Sequence, residues 1–256
     1  IAAKLCIGYK LPELLNKVTG VTTACFEPAL DYLVVKYPRW DLQKFRNVDR
    51  HIGPQMKSVG EVMGIGRCFE EALQKAVRML DIGKLGLVCN IEEDEPESLE
   101  TIRDVLAKPT DQRLYMIVKA LKQGISLEEI YFLSGVDPFF LHKIKNVIDM
   151  QDKLSTIKQN DKDFFDTLCE AKRIGFSDKQ IAICFSTDEF TIRSIRKEAN
   201  IVPAIKQIDT LAAEWPAKTN YLYLTYGGVE DDIQFSVHNR KVMVLGAGVF
   251  SIGSSV

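Results

Sequence analysis

The chain has 256 residues, a formal net charge of -2, a pI near 6.0 and 46% hydrophobic residues. That is enough for one large or two small domains of ordinary globular composition, and the slight acidity gives no electrostatic drive toward nucleic acid or anionic membrane. No apolar run approaches the roughly 20 residues that span a bilayer, and the first residues lack the basic start and apolar core of a signal peptide.

Residues 1–8 read as the end of a helix, and Pro12 suits the first turn of a second helix through Val18. The Asp-Tyr-Leu-Val-Val-Lys stretch at 31–36 is β-branched and aromatic and predicts a strand. Residues 58–65 alternate weakly and carry Gly60 and Gly64, with Gly66 close behind. Glycine inside a strand marks close backbone approach, so this strand is expected to press against a neighbouring element. Phe69, Leu73, Ala76, Val77 and Leu80 recur at helical spacing and predict an amphipathic helix over 68–80. The acidic run Glu92-Glu93-Asp94-Glu95-Pro96-Glu97 repels itself and hydrates well, which marks an exposed domain boundary.

Residues 98–199 read as about six short helices with clear punctuation. Thr110 can cap a helix that ends before Gly124. Ser126-Leu127-Glu128-Glu129 is a capping box ended by Gly135, and Asp137-Pro138 opens a longer helix through about Leu154. Ser177-Asp178-Lys179-Gln180 and Ser186-Thr187-Asp188-Glu189 are two further capping boxes. Phe132, Phe139, Phe140, Leu141, Ile144, Ile148 and Phe176 are the expected core. After Pro203 strands return, at 221–226 and as a buried apolar strand at 241–245. The second of these runs into a glycine turn at Gly246, Gly248 and Gly253.

Several features invite a chemical reading. The glycine turn is the one phosphate-loop candidate, but its third glycine falls two positions late for a dinucleotide fingerprint, so it is expected to be structural. Residues 175–197 have helix-turn-helix spacing with Arg193, Arg196 and Lys197 on the second helix. Asp178, Asp188 and Glu189 stand where a phosphate would lie, so nucleic acid is not an expected partner. Six cysteines (Cys6, Cys25, Cys68, Cys89, Cys169 and Cys184) are scattered without a Cys-x-x-Cys pair, which predicts reduced, mostly buried thiols. His51, His142 and His238 show no ligand spacing, so no metal site is expected. Glu27 and Glu61 are expected to hold helix caps or backbone amides, and Trp40 and Trp215 to anchor packing.

One stretch is more specific: Met56-Lys57-Ser58-Val59-Gly60-Glu61-Val62-Met63-Gly64-Ile65-Gly66-Arg67, followed by the predicted helix. With Phe26-Glu27-Pro28, Pro38-Arg39-Trp40-Asp41 and Gln207-Ile208-Asp209-Thr210, it resembles the synthetase chain of carbamoyl-phosphate synthase, through nearly all of its length and in the family's order. The resemblance implies an α+β fold in three parts. Residues 1–90 would end the first ATP-grasp (carboxyphosphate) module, 91–220 would be an all-helical connecting or oligomerisation domain, and 221–256 would begin a Rossmann-like pre-ATP-grasp domain. The absence of an initial Met and the stop just after a glycine turn fit a middle segment of a larger enzyme.

The resemblance also implies a parent that makes carbamoyl phosphate from bicarbonate, ATP and ammonia, with ATP and magnesium held outside this stretch. No catalytic, cofactor-binding or metal residue is therefore assigned here, and the segment is expected to be inactive alone. Expected partners are the other synthetase domains, a glutaminase domain or subunit, and a second copy through the helical domain. Val249 after Gly248, the 213–217 and 219–226 stretches and Gly253-Ser254-Ser255 look more like the multifunctional, cytoplasmic pyrimidine-pathway polypeptide. The ammonia-dependent mitochondrial enzyme, a stand-alone helical interaction module and a DNA-binding module remain alternatives.

Overall fold

The computed structural model describes residues 1–90, 97–236, 240–246 and 248–253. A short helix α1 (Ala2–Cys6) leads to a single 3-10 turn at Leu11–Glu13. The second helix predicted from Pro12 to Val18 does not form. The Ala24 amide instead donates to the Leu14 carbonyl (2.7 Å), and Leu15 bridges Thr23, so the chain is already extended there.

Strand β1 (Leu33–Arg39) pairs antiparallel with β2 (Gly60–Gly66), Leu33 facing Gly66 and Arg39 facing Gly60. Helix α2 (Phe69–Met79) crosses this hairpin. The glycines are required by that crossing. A Cβ on Gly64 would lie 2.1 Å from the Ala72 carbonyl oxygen and 2.7 Å from the Ala76 amide, so only glycine lets α2 settle on the sheet.

Seven helices follow: α3 (Leu99–Ala107), α4 (Arg113–Lys122), α5 (Leu127–Ser134), α6 (Pro138–Thr156), α7 (Phe164–Arg173), α8 (Asp178–Cys184) and α9 (Glu189–Glu198). Ser98, Ser126, Asp137 and Ser177 each accept an amide of the first turn with a side-chain oxygen, as N-caps do. Gly135 closes α5 in the left-handed conformation (φ 67°). Two predicted starts shift by two residues. Asp188, not Ser186, caps α9, because Ser186 takes φ 52° in the turn before it. Gln112 starts α4 while Thr110 is held in a bridge to His51. A second hairpin pairs β3 (Ala204–Gln207) with β4 (Leu222–Thr225). The described residues form a mixture of helices with two small antiparallel sheets, an α+β arrangement.

The main core is helical. Ile102, Leu106, Ile130, Leu141, Ile144, Leu168, Phe176, Ile181 and Ile192 are buried together. Leu73 and Val77 of α2 and Leu87, Val88 and Cys89 join them, so the core runs on across the boundary predicted near residue 90. The acidic residues 91–96 lie outside the described residues. Phe132, Phe139 and Phe140, expected in the core, are exposed, Phe132 at 85%. They occupy α5 and the first turn of α6, where the buried stripe is carried by Ile130, Leu141 and Ile144 instead. The 241–245 strand does not form either. Val242, Met243, Val244 and Leu245 are exposed, with no neighbouring strand among the described residues to pair with them. Of the cysteines only Cys89 is buried; Cys6 and Cys25 are exposed and the other three intermediate.

Candidate functional site

The densest polar chemistry lies where α2 meets the helices. Its sequence is polar on one face, Glu70, Glu71, Gln74 and Arg78 following at helical spacing, and that face is buried as thoroughly as the apolar one. Glu71 and Gln74 are 1% and 0% exposed. The Glu71 carboxylate accepts from the Arg67 amide (2.8 Å), the Lys75 ammonium (2.7 Å) and the Thr225 hydroxyl (3.0 Å), joining the end of β2 to β4. Lys75 also donates to the Ile65 and Leu224 carbonyls (2.7 and 2.6 Å). Glu70 accepts from Asn146 of α6 (2.8 Å) and pairs with Lys143 (3.2 Å). Burial alone would raise its carboxyl, but these donors hold it below the usual value.

Gln74 donates to the Ile174 carbonyl and accepts from the Gln180 amide, each at 3.0 Å. Gln180 also donates to the Val88 carbonyl (3.0 Å), while its Oε1 accepts from the Ser177 amide (3.0 Å) in a complete capping box. Arg78 reaches the Leu85 and Gly175 carbonyls (3.2 and 3.0 Å). Burial depresses this guanidinium to about 10, since neutral oxygens surround it and Glu71 assists only through space. Gly175 (φ 94°) makes the approach possible: a Cβ there would sit 2.8 Å from the Glu71 Cα.

Behind this lies a buried charge cluster. Lys172 donates to Asp178 (2.8 Å) and to the Phe176 carbonyl (2.7 Å), and Arg196 Nε donates to both Asp178 oxygens (2.9 Å each). Tyr226, just past β4, presents its ring to both cations, at 4.7 Å from Lys172 and 5.6 Å from Arg196. Burial would raise the Asp178 carboxyl, but two cations hold it down. Lys172 shares one carboxylate with Arg196, so burial wins there and lowers it to about 8. Of the three cations expected on the helix-turn-helix face, Arg196 is therefore 6% exposed and committed to Asp178; Arg193 and Lys197 face outward.

The glycine turn folds back on the first segment. Gly248 and Gly253 take left-handed φ values of 79° and 83°, and among the described residues no atom beyond the chain neighbours stands within 4 Å of the Cβ position at Gly246, Gly248 or Gly253. The Ile252 amide donates to Asp41 (2.6 Å), and Lys44 donates to the Ile252 carbonyl. Asp41 also accepts from Arg39 (3.0 Å), whose guanidinium reaches the Leu80 carbonyl at the end of α2. Arg39 and Asp41 of the Pro-Arg-Trp-Asp motif thus tie β1, α2 and the turn together. Among the described residues the Glu61 side chain makes no backbone or cap bond; it is an exposed partner of Lys36 (3.0 Å) on the hairpin, and Glu27 is exposed. Trp40 meets Tyr37 edge-on at 5.8 Å, while Trp215 is substantially exposed.

A cavity of about 540 Å³ opens between β1, residues 80–87 and α4, with Arg39, Trp40, Lys84, Tyr115 and Lys119 among its walls. Lys84 stands 4.7 Å over the Tyr115 ring, whose buried hydroxyl has no hydrogen-bond partner among the described residues. The described residues hold no group of three or more His, Cys, Asp or Glu placed for a metal ion, and no helix among them is long and apolar enough to cross a membrane. The arrangement ties one helix by polar bonds to β2, β4, α6 and the turn before α8.

Residues 61–200 match the family model described as carbamoyl-phosphate synthetase large chain, oligomerisation domain. Along its whole length the chain is 51% identical to the carbamoyl phosphate synthase large chain of Hyperthermus butylicus, covering 24% of that protein. It is 50% identical to the multifunctional protein CAD of Squalus acanthias (11% of that protein) and 49% identical to the mitochondrial carbamoyl-phosphate synthase [ammonia] of Aquarana catesbeiana (17%). The chain belongs to the carbamoyl-phosphate synthase large-chain family, and it spans a quarter or less of these relatives.

Proposed function

We propose that this chain is the part of a carbamoyl-phosphate synthase that joins and aligns the two synthetase halves. Its parent makes carbamoyl phosphate from bicarbonate, ATP and glutamine-derived ammonia for pyrimidine synthesis, in the cytoplasm and beside a glutaminase domain or subunit. Residues 1–90 complete the first ATP-grasp module, 91–220 form the connecting domain, and 221–256 open the second, Rossmann-like module. ATP and magnesium act elsewhere in the parent, with Gly246, Gly248 and Gly253 serving as a structural turn.

The junction carries this reading. Through Glu71, Gln74 and Arg78, helix α2 is bonded at once to β2, to the turn before α8 and to β4. A rigid connector is what two sites handing on a reactive intermediate require, since misplacement by about 1 Å can cost on the order of a hundredfold in rate. Exposed Phe132, Phe139 and Phe140 offer the helical part a face for a second copy. The pyrimidine reading finds support in the likeness to CAD and to the Neurospora crassa multifunctional protein pyr-3, 49% identical over the whole chain.

The test uses the full-length parent. Gln180→Leu is expected to retain bicarbonate-dependent ATP hydrolysis while yielding less carbamoyl phosphate per ATP, because alignment is lost and the first site is not. An unchanged ratio would refute the aligning role. Synthesis with ammonium chloride and none with glutamine would replace the pyrimidine reading by the ammonia-dependent one.

A further inference from the structure

We propose that Cys89 and Cys184 are a reversible disulfide site that covalently locks the end of the first segment onto helix α8. Their Sγ atoms lie 3.6 Å apart although 95 residues separate them. All six cysteines are thiols, and among the described residues this is the pair in sulfur contact.

The pairing is held from both sides. Gln180 and Cys184 are one helical turn apart on α8 and so face the same way. Gln180 donates to the Val88 carbonyl at 3.0 Å, fixing the register that brings the next residue, Cys89, over Cys184. The 85–90 turn is closed on itself by Asn90, which accepts from the Leu85 amide (2.7 Å) and donates to the Gly86 carbonyl (3.0 Å). Cys89 takes φ 61° in that turn, a left-handed geometry that surrounding bonds must hold in place. A disulfide needs sulfurs about 2.05 Å apart, so from 3.6 Å the two sulfurs must close by about 1.5 Å.

The chemistry is set for attack by Cys184. Its thiol is lowered to about 7, first by the Cys89 thiol, against burial, and further by Ser155 and Lys122. It is also half-exposed, whereas Cys89 is buried. A small peroxide supplies the oxidising equivalents. The Cys184 thiolate attacks one peroxide oxygen, the O–O bond breaks, and a sulfenic acid and hydroxide result. Cys89 sulfur then attacks the Cys184 sulfur, the S–O bond breaks, and the departing hydroxide takes the Cys89 proton as water. Two thiols and one peroxide become one disulfide and two waters, and a thiol reductant reverses the bond.

Oxidation of the full chain with hydrogen peroxide, read by intact mass and by peptide mapping without reduction, tests this. Loss of two hydrogens and a Cys89–Cys184 linked peptide are expected, restored to thiols by dithiothreitol. Cys89→Ser and Cys184→Ser should each abolish the link, while a variant with Ser at Cys6, Cys25, Cys68 and Cys169 should retain it. The oxidised chain should melt higher by roughly 5–15 °C, the range for cross-linking a loop of this length in a chain of this size. Stepwise oxidation of Cys184 to sulfinic acid without a link, a link between other cysteines, or an unchanged or lowered melting temperature would each overturn the proposal.

Discussion

Replacing Asp178 by Ala removes the one carboxylate between two buried cations. At pH 7 the wild type already bears a cost there. Lys172 has an ordinary value of 10.5 and a folded value of about 8, so holding its ammonium in the interior costs about 3 kcal/mol. Without Asp178 its pKa falls further until the amine is neutral at pH 7, which limits the added cost at this site to about 1–2 kcal/mol. Arg196 has no such escape because a guanidinium keeps its proton. It retains the Ile201 carbonyl (3.3 Å) and the Tyr226 ring but loses both bonds to Asp178, worth about 1.5–3 kcal/mol. The sum, about 3–5 kcal/mol, matches what breaking a buried ion pair from one side costs. In a chain of this size it corresponds to a fall in Tm of about 10 °C.

The pH profile is a second reading of the same cluster. Between about 8 and 10.5 the unfolded chain keeps the Lys172 proton and the folded one has released it, so stability rises with pH across that window. Asp178 acts at the other end. Its folded value lies below 3.8, so its contribution is complete above 3.8 and is lost as pH falls through the folded value. Thermal melts by circular dichroism from pH 7 to 10.5, on wild type, Asp178→Ala and Lys172→Met, isolate the Lys172 effect. Lys172→Met should flatten the alkaline rise. A Tm for Asp178→Ala within about 1 °C of wild type, or an alkaline rise that survives Lys172→Met, would refute the electrostatic account.

Gly64→Ala should cost about 3 kcal/mol or more in denaturant melts, because its Cβ meets the α2 backbone at 2.1 Å, whereas Gly246→Ala, in open space, should be near neutral. Phe176→Ala, at 1% exposure, should cost about 3–5 kcal/mol by the same measurement and Phe132→Ala less than about 0.5. If the exposed aromatics form a subunit face, Phe132→Asp should shift the chain toward the monomer in sedimentation velocity without lowering its Tm. An unaltered distribution would move that face elsewhere.

The starts at Ser126, Asp137 and Ser177 were legible because a cap is local: each bonds an amide two or three residues away. The glycines of the β2 strand were legible for a related reason, since a missing side chain signals contact without naming the partner. The aromatics misled. Phe139 and Phe140 are large enough to suggest a core, yet they sit in the first turn of α6, and the buried stripe continues through Val147, Met150 and Leu154 instead. The apolar 241–245 run likewise announces burial but cannot supply the strand that would bury it.

The junction was hidden for a deeper reason. An apolar stripe at Phe69, Leu73, Ala76, Val77 and Leu80 implies that the opposite face is wet, and Glu70, Glu71, Gln74 and Arg78 look like an ordinary solvated face. Burying them is tolerable only where every donor and acceptor finds a partner. Their partners, Asn146, Ile174, Gly175, Gln180 and Thr225, lie some 75 to 155 residues further on. No periodicity encodes such distant pairing. Because those bonds form only when β2, α6, α8 and β4 are all in place, α2 reports the assembly of these elements. A substitution on its polar face therefore tests the connection between the segments more directly than one in either hairpin.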